Sequence, residues 1–116
     1  MNLTEIASRL SLVVRTAKEY LDQEVTGCYI SDLLSDVMAR AQEGDVWITH
    51  QVHPNIVAVA VLKNVAAIII TDLRTPEEET LRKAAEEHLP VALSHAEELW
   101  NSTLQAEIIK RLNTFA

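Results

Sequence analysis

The sequence predicts an α/β fold, a largely parallel sheet with helices packed on it, from three observations. Short apolar runs alternate with stretches of helical periodicity along the chain. Several runs, such as 45-DVWIT-49 and 66-AAIIIT-71, are continuously apolar rather than alternating, as strands covered on both faces are. The stretches between them open on capping residues followed by apolar positions at helical spacing.

The strands read as 12-LVVR-15, 25-VTGCYI-30, 45-DVWIT-49, 66-AAIIIT-71 and 90-PVAL-93. A first helix follows Asn2, with Glu5 three positions on and Leu3, Ile6 and Leu10 along one face. Ser31-Asp32 precedes LLSDVMARAQ, a second helix that Gly44 would terminate. Thr75-Pro76-Glu77-Glu78 opens another: Thr as cap, Pro at the first helical position, acidic residues in the first turn. Ser94 with Glu97 repeats the capping box and starts a last helix over about 95–113. The segment 56-IVAVAVL-62 fits two patterns. Its alternating valines allow a strand, whereas Pro54 and the small or apolar residues in every turn favour a buried helix.

With 116 residues, 48% of them hydrophobic and only two glycines, the chain reads as one globular domain spanning 1–116. Its formal net charge of −7, with Lys and Arg scattered singly, argues against nucleic acid and anionic membrane as partners. The longest apolar stretch, 56–70, is broken by Lys63 and Asn64 and is too short to span a bilayer. The N-terminus lacks the form of a signal peptide, so the expected location is cytoplasmic. A single cysteine, Cys28, excludes an internal disulfide, and its apolar surroundings make it a packing residue.

Candidate chemistry gathers where strands end and helices begin, because ligands in open α/β sheets bind beyond the carboxyl ends of the strands. Those positions hold Ser31-Asp32, Thr49-His50-Gln51, Thr71-Asp72 and Ser94-His95. Ser31 and Ser94 also suit plain helix caps. The stretch 47-WITHQVHPN-55 is harder to explain so, since one cap does not need four polar residues. His50 and His53, with Asp72 or His95, have donor types that suit a metal. The spacing is weak, surface or capping histidines fit better, and no metal site is assigned. The phosphate-loop, dinucleotide, nucleophile-elbow and zinc-protease motifs are all absent, so no catalytic residue is assigned and no cofactor is indicated.

The last helix carries two apolar stripes, one with Leu99 and Ile109, the other with Trp100, Leu104, Ile108 and Leu112. One stripe can dock on the sheet. The second invites a partner, of which a second copy is the commonest kind.

From 22-DQEVTGCYISDLLSDVMARAQEGDVWITHQVHPNIVAVAVLKNVAAIIIT-71, the chain resembles DRTGG domains, in particular the small stand-alone members of anaerobic bacteria often encoded beside iron hydrogenases. The most specific parts are Asp22-x-x-Val25-Thr26-Gly27, the run 31-SDLLSD-36 and 44-GDVWIT-49. Members usually carry Arg where this chain has Gln23. The resemblance implies a fold like the N-terminal domains of HPr kinase and the Mur ligases, and a regulatory, ligand-sensing or assembly role. It implies no kinase activity for this chain, since the phosphate-binding loop is missing.

The first expectation is therefore a non-catalytic, homodimeric module that binds a small metabolite or nucleotide on a rim of Thr26, Gly27, Ser31, Asp32, Thr49, His50, His53, Asn55 and Asp72. In it, Gly27 lets backbone approach the ligand and the helix start at Pro54-Asn55 presents free N–H groups. The second is an interaction protein that binds a hydrogenase or electron-transfer partner through its last helix. A small enzyme with His50 or His53 as general base and Asp72 orienting it ranks last, because no nucleophile or electrophile completes the set.

Overall fold

The structure, a computed structural model, describes residues 1–71 and 74–94. Asp72 and the segment 95–113, where the sequence reading expects a last helix with two stripes, lie outside the described residues. The elements run α1 (Leu3–Arg9), β1 (Val13–Val14), β2 (Gly27–Ile30), α2 (Leu34–Arg40), β3 (Asp45–Thr49), α3 (Asn55–Lys63), β4 (Ala67–Ile70), α4 (Glu78–Glu86) and β5 (Val91–Leu93). The five strands form one sheet in the order β1-β5-β4-β3-β2. All neighbours are parallel except β1, which pairs antiparallel with β5 through Val13↔Leu93 and Val14↔Ala92. The fold is thus the α/β architecture with a mostly parallel sheet that the sequence predicts.

From β2 to β5 each strand lies beside the one before it, so successive right-handed crossovers place α2, α3 and α4 on a single face. Strand side chains alternate between faces. Trp47, Ile68, Ile70 and Val91 meet Val37 of α2, Ile56, Val57 and Ala60 of α3, and Ala84 of α4. Val46, Ile48, Ala67 and Ile69 point the other way and pack with Met1, Leu3 and Ile6 at α1. Every residue of β3 and β4 is buried, which is why both read as unbroken apolar runs. The edge strand β2 is only half-buried.

The ambiguous segment is a helix. α3 ends where Asn64 takes the left-handed conformation (φ 56°) and its N–H returns to Ala60 and Val61 carbonyls. Two boundaries differ from the sequence reading. α4 begins at Glu78, capped by Glu77, rather than after Thr75. The reason is tertiary: the Glu77 N–H and the Thr80 hydroxyl both donate to the Val52 carbonyl, which holds Glu77 extended against the loop after β3. α2 ends at Arg40, and Gly44 (φ 85°) serves instead in the turn that feeds β3. Among the described residues no helix is long and apolar enough to cross a membrane.

Candidate functional site

At the carboxyl end of the sheet, β2 and β3 deliver their polar ends side by side. Asp32 is the hub. Its Oδ1 accepts from the Thr49 hydroxyl at 2.7 Å and from the His50 N–H at 2.7 Å, while Oδ2 lies 3.3 Å from His50 Nδ1. Its backbone carbonyl accepts from Gln51 Nε2 at 2.9 Å, and the Gln51 N–H donates to Thr49 Oγ1 at 3.1 Å. Ser31 anchors the same corner: its Oγ accepts from the Leu33 N–H, and its carbonyl accepts from the buried Trp47 indole at 2.9 Å. Just below, the Tyr29 hydroxyl donates to Asp36 at 2.7 Å. That bond, with help from the Ser31 hydroxyl, holds the Asp36 carboxyl below its ordinary range and pushes the Tyr29 phenol up.

This network sorts the sequence-predicted residues. Thr49 is fully buried, and both of its hydrogen-bonding directions are used within the protein. Asp32, Thr49 and Gln51 therefore shape the 49–55 loop, and the residues this loop presents to solvent are His53 and Asn55. The start of α3 does not offer the free N–H groups expected of it. The Asn55 N–H donates to His53 Nδ1 at 3.2 Å, the Ile56 N–H to the His53 carbonyl, and the Val57 N–H to the Pro54 carbonyl. Among the described residues no group of three or more His, Cys, Asp or Glu converges as a metal site would require.

Thr26 and Gly27 do not join this rim. They open β2 at the amino end of the sheet, where Gly27 pairs with Asp45, about 13 Å from Ser31 at the rise of a parallel strand. Their roles there are packing ones. The Thr26 hydroxyl donates to the Glu43 carbonyl, and a Cβ on Gly27 would run into the Asp45 carboxylate. The Asp45 side chain is buried, accepts from the Gln42 N–H at 2.8 Å, and is pushed up in pKa by loss of solvent. Burial, with Asp45 beside it, pushes the Cys28 thiol up to about 12, which suits a packing residue. Gln23 also sits at this end, its backbone carbonyl accepting from the Leu3 N–H. Gln23 is therefore remote from the carboxyl-end rim.

Two residues at the carboxyl end stand outside the expected binding set: Thr71, which the sequence marks only as a strand-end hydroxyl, and Arg74, which it does not mark at all. Thr71 is fully buried at the end of β4, and its hydroxyl has no hydrogen-bond partner among the described residues. Its position after an apolar strand was legible; its burial was not. Arg74 is exposed, its N–H donating to the Thr71 carbonyl, and among the described residues it makes no ion pair. Its backbone sets a cationic residue just past β4 at the carboxyl end of the sheet, and a lone surface arginine has no sequence signal.

No known family model matches the chain, and no curated protein matches it. Among solved structures it is similar to the crystal structure of the CBS and DRTGG domains of the regulatory region of a Clostridium perfringens pyrophosphatase, complexed with its activator diadenosine tetraphosphate. The TM-score is 0.67 at 18% identity, over 95% of this chain and 46% of that one. This chain thus spans about half the length of its neighbour. The likeness is one of fold, and it agrees with the DRTGG resemblance read from the sequence, which runs from about Leu3 to Leu112.

Proposed function

We propose that this chain is a single DRTGG-type domain acting as a non-catalytic, ligand-sensing regulatory module. It binds a small metabolite or nucleotide at the carboxyl-end rim and acts as a cytoplasmic homodimer. The observation that carries the reading is the organisation of the 49–55 loop around Asp32. Hydrogen bonds fix that loop so that His53 and Asn55 stand in solvent, while Arg74 lies on a segment tied to the same loop through Val52. Such a set suits a nucleotide: the asparagine amide and imidazole for base or ribose edges, the guanidinium for phosphate. Support from outside the chain comes from a neighbour of the same fold that belongs to a regulatory region and is complexed with a nucleotide activator.

Calorimetric titration with adenine nucleotides, diadenosine tetraphosphate among them, tests this. The expected outcome is saturable binding that Asn55→Ala weakens by at least tenfold and Thr26→Ala leaves unchanged. Binding that Thr26→Ala removes and Asn55→Ala spares would move the site to the opposite end of the sheet.

A further inference from the structure

The helical face carries an imbalance that the rim does not use. α3 is apolar on every side: Ile56, Val57 and Ala60 are buried, while Ala58, Val61 and Leu62 face outward, Val61 at 43% and Leu62 at 69% exposure. Helices apolar all round are normally covered all round. Beside α3 runs α4, whose outward face is charged. Between them lies a furrow of about 320 Å³, with Val57, Ala58 and Val61 on one wall and Lys83, Glu86 and Glu87 on the other. It runs on into a hollow of about 150 Å³ that shares Val61 and Glu87. Arg82 is committed within α4 to Glu79 and Glu86, and Lys83 to Glu79. Among the described residues Glu77, Glu78 and Glu87 have no cation.

We infer that the α3–α4 furrow is a docking surface for an amphipathic helix of another protein, with an apolar stripe flanked by Lys or Arg. The stripe would seat on Ala58, Val61 and Leu62, and the flanking cations would reach Glu86 and Glu87 across the furrow, their methylene stems covering its floor. Charge selects this occupant. The furrow's own lysine, Lys83, is held by Glu79 and Glu87 has no cation among the described residues, so a Lys- or Arg-flanked helix complements it better than a second copy of a chain already at net charge −7. The surface lies on the helical face, and the inference is independent of the rim reading.

The test uses the whole chain and two synthetic helical peptides with the same leucine stripe, flanked in one by Lys and in the other by Glu, titrated by fluorescence anisotropy. The Lys peptide should bind at one per chain and at least about tenfold tighter than the Glu peptide. Val61→Ser with Leu62→Ser should weaken it by about tenfold, as should Glu86→Lys with Glu87→Lys, and added salt should weaken it further. These positions are at the surface, so circular dichroism should show both variants folded. The inference is overturned if the Lys peptide does not bind, if both peptides bind alike, or if binding survives the serine pair, which would mean charge attraction alone. It is equally overturned if sedimentation finds a dimer that Leu62→Asp dissolves, because a second copy would then occupy the furrow.

Discussion

Replacing Asp32 by alanine removes the acceptor for two donors, the Thr49 hydroxyl and the His50 N–H, each at 2.7 Å. The two losses differ in size. Thr49 has no exposed surface, so its hydroxyl loses a partner that water does not replace, a cost of about 1–3 kcal/mol. The Asp32 side chain is 39% exposed, so water entering from that side can serve the His50 N–H and hold that cost to about 0.5–1 kcal/mol. Together the variant should lose about 2–3 kcal/mol, roughly a 10 °C fall in Tm for a chain of this size. Asp32→Asn, which keeps one acceptor oxygen, should lose about half as much. The sharper assay is a double-mutant cycle by thermal and urea unfolding. Thr49→Val alone leaves a carboxylate short of a donor. In the Asp32→Ala background the same change removes a group already stranded, so it should cost about 1 kcal/mol or less. Strict additivity of the two substitutions would refute the claim that Asp32 and Thr49 act as one unit.

Three further outcomes follow from the fold. Thr16→Val should cost about 2–3 kcal/mol in urea unfolding, because the buried Thr16 hydroxyl donates to the Leu89 carbonyl at 2.7 Å and accepts from the Val91 N–H at 2.9 Å, clasping the segment after β1 to β5. Gly44→Ala should cost about 2 kcal/mol by the same measurement, since it forces φ 85° on a residue with a Cβ and drives that Cβ into the Thr26 hydroxyl. Asp45→Asn should flatten the acid side of the stability curve. Burial raises the folded-state pKa of Asp45 above its ordinary value of 3.8, so its contribution is fully present below that value and fades as pH rises through the folded one. The Tm of the parent relative to the Asn variant should therefore climb on acidification towards pH 4, and a constant difference would refute the assignment.

The parts legible in the sequence are those set by burial period and local chemistry. All five strands fall within two residues of their expected bounds, because two-sided burial writes itself as unbroken apolar runs such as Ala67–Ile70. Pro54 and the crowded small residues correctly favoured a helix for α3. What the sequence could not carry are contacts made across the fold. Asp32 reads as a residue next to a helix start, yet its side chain turns away from α2 to hold Thr49 and His50, some 17 and 18 positions distant. The α4 start moved because Val52, far back in the chain, holds Glu77 and Thr80. Thr26 and Gly27, within the expected strand 25–30, were assigned to the rim because a glycine lets backbone approach a ligand. The strand direction puts them at the wrong end of it, and only sheet register makes that visible.

Whether the carboxyl-end rim is a binding surface is decided by melting three chains in parallel. The parent, Asn55→Ala and Thr26→Ala should be melted against adenine nucleotides, coenzyme A esters, S-adenosylmethionine, dinucleotides and divalent metals. A ligand near 100 times its Kd adds about 2.7 kcal/mol, a rise of several degrees. A binding rim gives such a rise in the parent and in Thr26→Ala and loses it in Asn55→Ala, whose exposed side chain should leave the unliganded Tm within a few degrees of the parent. A rise that persists in Asn55→Ala, or none in the parent across the whole panel, would contradict a binding rim.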